Sequence, residues 1–386
     1  AISFLVKFIN FEKVVIVTMA KIVFASILKP VTDTRMYAKM AKTLVLDSAT
    51  EVHIVGHAIN EVTSQDNNII FHPIFNFPRL SFARVFAWVS FLKLIYALKP
   101  QTLVVCTHEL LLPAIGYKLF HKVQLIYDVR ENYYLNILHT HSFPLLLQFP
   151  LALWVRFKEL ICSPFVNHFI LAEACYQEEC ASFLSKHDFT LLPNQFVGPA
   201  RINTAVQLNT GFHMVYSGTI AKSYGIWETI NLAIALHQID PTVRLTIIGY
   251  SASPDLFTDL ESMIQNKPFI TLMGGKKLVS HGLIMQTLQS ADVAILSYQR
   301  NKSTQDRIPT KLYECLALGI PMILPSYANT WIALTKPYHA ALYMDFSEYD
   351  AAEVYQSLLH QTFYTTSPPP EVYEWQAQKL RRVFPL

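Results

Sequence analysis

The chain has 386 residues, enough for two or three domains that each bury a core. Hydrophobic residues make up 52% and charged residues 15%, which excludes intrinsic disorder. Lys and Arg number 31 against 28 Asp and Glu, a net charge of +3 that is too diffuse for a nucleic-acid binder. A mean hydropathy of +0.27 keeps membrane contact in view. Cys106, Cys162, Cys175, Cys180 and Cys315 form no CxxC pair, so neither a zinc site nor a disulfide framework is indicated. Buried thiols in a reducing compartment fit better.

In chain order, residues 1–18 are apolar but carry Lys7, Glu12 and Lys13 and lack a small-residue cleavage site. The run MAKIVFAS from Met19 reads as the first strand, so 1–18 are expected to be an N-terminal extension. Strands are expected at Lys21–Ser26, Glu51–Val55, Leu103–Cys106, Gln124–Tyr127 and His168–Leu171. Helices are expected at Tyr37–Leu46 and Pro113–Phe120 between them. Phe82–Leu98 is an aromatic-rich helix with Arg79, Arg84, Lys93 and Lys99 in or beside it. It suits either an ordinary helix packed on a sheet or a segment lying in an anionic membrane interface. Phe143–Val155 is apolar but too short to span a bilayer, and Pro144, Gln148 and Pro150 interrupt it.

Pro193–Thr210 is polar, with Pro and Gly and little periodicity, and reads as a linker. Strands resume at Met214–Ser217, Arg244–Ile248, Ile270–Met273, Val293–Leu296 and Met322–Leu324. Helices are expected at Ile226–His237, Asp255–Ile264, Leu283–Gln289 and Thr310–Leu318. Strand–helix alternation therefore starts twice, which predicts an α/β chain of two doubly wound parallel-sheet domains. The expected division is 19–195, a linker at 196–212, a second domain at 213–365 and a C-terminal helix at 366–386. Ligands of such domains bind beyond the carboxyl ends of the strands.

The richest motif is STQDRIPTKLYECLALGIPMILP at 303–325. Pro309 suits the start of a helix and Thr310 can cap it, leaving N–H groups that attract a phosphate. Glu314 then falls about one turn in, where a carboxylate can accept two hydrogen bonds from the vicinal diol of a ribose. A capped helix with Glu314 in a surface ion pair is the plainer alternative. Asp306 sits in the loop before it, and Gly319 is a natural stop. In YSGTIAKSYGIWETINLAIAL at 216–236, Gly218 lets backbone approach a ligand and Gly225 permits a tight turn into a helix. Gly249 ends the strand LTIIGY in the same manner. In the first half, CTHELLLPA at 106–114 and LIYDVRENYY at 125–134 place His108, Asp128, Arg130 and Glu131 at strand ends, and PVTDTRMYAKM places Asp33 and Arg35 after the first strand. A His and acids there can orient a hydroxyl and take its proton.

The spacing Asp306-x7-Glu314, followed by LALGIPMIL, resembles the Glu-x7-Glu region of retaining GT-B glycosyltransferases of the family 4 type, with Asp in place of the first Glu. YSGTIAKSYG resembles that family's GRLxxxKG loop, with Thr219 at its Arg position and Tyr224 at its Lys position. YDVRE resembles its YDxHE segment, with Arg130 replacing His, and His108 matches a recurrent His. The resemblance covers nearly all of 19–386. It implies a GT-B fold and transfer of a sugar from a nucleotide-diphosphate sugar to a saccharide or lipid-linked hydroxyl, with retention and without a metal or other cofactor. It implies that Glu314 holds the ribose, that Asp306 lies towards the transferred sugar, and that His108 and Glu131 serve the acceptor hydroxyl. Gly218, Thr219, Lys222, Gly249, Arg307, Thr310, Lys311 and Leu312 would complete the donor site, with Lys222 and Arg307 supplying the charge that Thr219 and Tyr224 lack. Asp33, Arg35, Asp128 and Arg130 would line the acceptor side. A cytoplasmic protein of surface polysaccharide or glycolipid synthesis, peripheral on an anionic membrane face, fits this implication. A nucleotide-sugar epimerase and a non-catalytic sugar-nucleotide-binding protein of the same fold are the alternatives. A dinucleotide oxidoreductase fits less well, because no complete GxGxxG follows the first strand.

Overall fold

The computed structural model describes residues 19–46, 50–58, 66–78, 81–139, 143–202, 204–301 and 306–384. The expected extension at 1–18 and the basic residue Arg79 lie outside them. The chain separates into two compact units, 1–126 with 384–386, and 127–383.

In the first unit, β1 (Ala20–Pro30), β2 (Thr50–His57), β3 (Ile69–Phe75) and β4 (Thr102–Val105) lie in the order β3-β2-β1-β4. The paired strands run parallel, with Phe24 level with Ile54 and Val104. These side chains are fully buried, so the β-branched and aromatic runs read from the sequence form the core. Phe384 returns to this unit, its ring 6.2 Å from that of Phe24. β3 was not expected: Pro73 and His72 break its alternation, and an edge strand tolerates the missing N–H of proline. The helix expected at Tyr37–Leu46 is a π-helix over Thr34–Ala41 followed by one α-turn, Lys42–Leu44. Ala87–Leu98 is helical, preceded by a 3₁₀ turn at Phe82–Phe86. It buries Ala87, Phe91 and Ile95 and leaves Val85, Phe86, Trp88 and Tyr96 exposed, so the plain buried-helix reading holds for one face only.

β5 (Gln124–Val129) begins in the first unit and ends in the second, where β6 (His168–Leu171) and β7 (Phe189–Leu191) follow it in order. The second unit also holds a six-stranded parallel sheet of β8 (His213–Thr219), β9 (Arg244–Tyr250), β10 (Ile270–Gly275), β11 (Val293–Ile295), β12 (Met322–Pro325) and β13 (Ala341–Met344). Its order is β10-β9-β8-β11-β12-β13, so the winding direction reverses between β8 and β11. In sheets of this kind ligands bind beyond the carboxyl ends of the strands that flank such a reversal. Tyr216, Ile247, Ile295 and Ile323 lie in its core.

The segment expected as a linker is irregular but tied down. Phe196 bridges Glu374, Val206 bridges Phe363, and Gln195 Nε2 donates to the carbonyls of Glu371 and Val372 at 2.8 and 3.1 Å. The expected single C-terminal helix is two short ones, Pro370–Tyr373 and Ala377–Val383, because Trp375 hydrogen-bonds back to Phe196 between them.

β8 and β9 meet in register at Gly218 and Gly249 so closely that a Cβ on Gly249 would lie 1.6 Å from the Gly218 carbonyl oxygen. Gly249→Ala must part the strand ends. Its Tm is expected to fall by about 5 °C or more. An unchanged Tm in thermal unfolding contradicts this packing.

Candidate functional site

The carboxyl end of β8 is shaped by two glycines. Gly218 has φ +93°, and Gly225 has φ +74° immediately before the helix Ile226–Ile239. Ser297, just beyond β11, donates from Oγ to the Gly225 carbonyl at 2.6 Å and meets Thr229 Oγ1 at 2.6 Å. These bonds lock the turn 218–225 against the neighbouring strand across the point of reversal.

Into this corner projects Lys311, from the first turn of the helix Thr310–Leu318. Its ammonium is buried and makes no hydrogen bond. It lies 5.0 Å from the ring centroid of Tyr216, 5.2 Å from Tyr298 and 6.0 Å from Tyr224. Aromatic faces attract a cation but leave its N–H groups without acceptors. Burial lowers the Lys311 pKa to about 8, against the opposing pull of Glu314 and Cys315. Gly218 is what admits the lysine: a Cβ there would stand 2.9 Å from Lys311 Cε.

The helix has the expected bounds, and Gly319 ends it at φ +63° as a glycine stop should. The cap differs from expectation. Pro309 occupies the N-cap position and Thr310 is the first helical residue, with no side-chain cap. A proline there has extended backbone and leaves the first-turn N–H groups without a side-chain acceptor. Glu314 is 5% exposed, and its Oε1 lies 2.9 Å from Nε2 of His281, a half-exposed side chain at the start of the helix His281–Gln289. The carboxylate is thus neither loose on the surface nor sealed in hydrocarbon. His281 carries no motif, so only the fold reveals it. Leu312 is fully buried, Lys222 is exposed in a 3₁₀ turn, and Thr219 offers its carbonyl to Tyr216 Oη at 2.7 Å.

Arg307 is engaged elsewhere. Its Nη1 donates to Asn136 Oδ1 at 3.0 Å, its Nη2 lies 4.0 Å from Glu179 Oε2, and its guanidinium sits 5.3 Å from the Tyr176 ring centroid. Asn136 donates in turn to Glu131 Oε2 at 3.2 Å. Glu173, not singled out from sequence, accepts from the Ile308 N–H at 3.1 Å, and Trp331 Nε1 donates to the Arg307 carbonyl at 2.6 Å. The loop before Thr310 is therefore fixed from both sides, while Asp306 is exposed. Asp128 is fully buried, its Oδ2 3.9 Å from Arg130 Nε.

Three expected residues belong to the first unit. His108 is buried in a 3₁₀ turn with Nε2 3.5 Å from Glu109 Oε1. Burial would raise the Glu109 pKa, but His108 and Arg84 outweigh it and hold the carboxyl below its ordinary value. Asp33 accepts from the N–H groups of Arg35 and Met36 at 3.1 and 3.0 Å and so caps the π-helix, and Arg35 is buried. A separate hollow lined by Arg201, Asp292 and Gly319 lies at the amino ends of β11 and β12, away from the Lys311 corner.

Among the described residues, no group of His, Cys, Asp and Glu is arranged to hold a metal ion. No protein-family model matches the sequence, and no curated protein matches it. Solved structures do. Sucrose-phosphate synthase from Thermosynechococcus elongatus aligns with a TM-score of 0.64 at 14% identity, covering 95% of each chain. A trehalose-6-phosphate protein from E. coli bound with UDP-2-fluoro glucose gives 0.58 at 12% identity, covering 94% of this chain and 95% of that one. An Anabaena protein, HepE, in complex with UDP-glucose gives 0.55 at 13% identity, covering 94% of each. The fold is the GT-B architecture of two parallel-sheet Rossmann-like domains.

The buried ammonium has a thermodynamic signature. With a folded pKa of about 8, below the ordinary lysine value, the unfolded chain holds more protons than the fold above pH ~8. This group therefore makes stability rise with pH between about 8 and 10 and lowers it at neutral pH. Lys311→Met is expected to raise Tm at pH 7 by several degrees and to flatten that rise. Parallel Tm profiles of the two proteins from pH 7 to 10 contradict the burial.

Proposed function

We propose that this chain is a glycosyltransferase of the retaining, family 4 type, moving a sugar from a nucleotide-diphosphate sugar to a hydroxyl acceptor. The observation that carries the reading is one corner at the carboxyl ends of β8 and β11, where the unbonded Lys311 ammonium and the Glu314 carboxylate stand a helical turn apart. A nucleoside diphosphate needs that pair, a cation for phosphate and an acceptor for the ribose diol. Glu314 takes the diol in exchange for His281. Lys311, Lys222 and the amides near Gly218 and Thr310 stabilise charge on the leaving diphosphate as the glycosidic bond breaks. Thr219, Gly249 and Leu312 shape the donor site, and Asp306 lies towards the transferred sugar.

On the acceptor side, His108 and Glu131 serve the hydroxyl proton, and Asp33, Arg35, Asp128 and Arg130 position the acceptor. Retention with assistance from the leaving phosphate needs no enzymatic nucleophile and no metal. The proposed acceptor is a saccharide or a lipid-linked hydroxyl of surface polysaccharide or glycolipid synthesis on the cytoplasmic side. Exposed Trp88 and Tyr96 beside exposed Lys93 and Lys99 support contact with an anionic membrane. One observation favours a second reading, a sugar-nucleotide-binding protein without turnover: Arg307, expected at the diphosphate, is held by Asn136 and Glu179.

A thermal-shift screen of nucleotide sugars tests the reading. A true donor at 100 times its Kd stabilises by about 2.7 kcal/mol, or roughly 3–5 °C. Glu314→Ala is expected to weaken that donor at least tenfold, and Lys222→Ala less. Consumption of the stabilising donor with an acceptor panel separates transfer from binding alone. No stabilisation by any nucleotide sugar sinks both.

A further inference from the structure

The helix Leu145–Cys162 is built inside out. Gln148, Lys158 and Glu159 are buried, whereas every exposed residue from 144 to 165 is apolar. Leu146, Phe149, Leu153, Phe157 and Leu160 form the outward stripe, with Leu146 91% exposed, and Trp154 stands beside it. The inward polar side is paired within the fold. Tyr127 Oη donates to Glu159 Oε1 at 2.9 Å, Arg156 Nη1 lies 3.3 Å from Glu159 Oε2, and Arg156 Nη2 donates to Asn132 Oδ1 at 3.1 Å. Gln148 Nε2 donates to the Phe143 carbonyl at 2.9 Å. Arg156 also lies 5.2 Å from the ring centroids of Tyr134 and Phe183. The orientation is therefore fixed by the bonds of Glu159 to Tyr127 and of Arg156 to Asn132, which rotation of the helix would break. A contiguous apolar face rimmed by no exposed polar residue marks an interaction surface.

We infer that the outward face of Leu145–Cys162 seats in the acyl boundary of a lipid bilayer, with the helix axis along the surface. Charge decides between occupants. A protein interface carries a polar rim and regular hydrogen bonds, and a helix seam with a second copy carries flanking charges that set register. This face offers neither; the indole N–H of Trp154 is its only side-chain donor, with the Lys158 ammonium 5.6 Å from that ring centroid. A face without charge matches a surface without charge, and an indole beside a lysine suits the headgroup level. Among the described residues no helix is long and apolar enough to cross a membrane. The contact is independent of the sugar chemistry and distinct from the attraction of Lys93 and Lys99 to anionic lipid.

The full chain is mixed with phosphatidylcholine vesicles at low salt and in 0.5 M NaCl and sedimented. Binding to these neutral vesicles should persist at high salt, whereas attraction through lysines would fade. The triple variant Leu146→Glu, Phe149→Glu, Phe157→Glu is expected to lose at least tenfold in partitioning with unchanged Tm. Bromine-labelled acyl chains should quench a fluorescence component of the native protein that Trp154→Phe lacks, a readout that survives if the triple variant misfolds. Failure to bind neutral vesicles, equal binding by a folded triple variant, absent quenching, or a native dimer that the variant dissolves would each overturn the inference.

Discussion

A lysine ammonium enclosed by tyrosine rings and given no acceptor is the constraint around which the second sheet's carboxyl edge is organised. Ring faces soften the burial of the charge, yet three N–H groups stay unsatisfied, an arrangement that disfavours the empty state. Gly218 has to lack a side chain to make room. Tyr216 directs its hydroxyl to the Thr219 carbonyl, which turns its ring towards the cation. Tyr298 is braced by Trp331, ring to ring at 5.1 Å, and the Tyr327 hydroxyl donates to its carbonyl.

Positive charge is divided by partner. Arg307 and Arg156 both serve a polar chain that runs through Glu131, Asn136, Glu179, Asn132 and Glu159. That chain holds the loop before Thr310 on one side and the outward-facing apolar helix on the other. Lys311 has no such partner, and Lys222 is exposed. Tyr224 contributes a ring to the cage.

Where local chemistry and tertiary packing agree, the sequence could be read closely. His168–Leu171 and Thr310–Leu318 have the expected bounds, the latter because Pro309 starts it and Gly319 stops it in the left-handed region. Misreadings occurred where packing overrides pattern. β3 carries a proline that only its edge position excuses, and Asp33 caps a π-helix that periodicity takes for an α-helix. Leu145–Cys162 was invisible as a helix because Pro150 and Gln148 interrupt its apolar run and its polar residues point inward. The place of Glu314 about one turn into its helix was legible from its spacing to the helix start. His281 and the cage were not, because Tyr216, Tyr224, Tyr298 and Lys311 come from separate segments that only the sheet order brings together.

The most direct measurement is the titration of the Lys311 amine itself, followed by NMR with ¹⁵N-labelled lysine and assigned through Lys311→Arg, with and without a nucleoside diphosphate such as UDP. An anion that reaches the ammonium must favour its charged form. The account predicts a midpoint near 8 in the unliganded protein that moves to about 10 or above in the complex. A midpoint that saturating UDP leaves in place would contradict it.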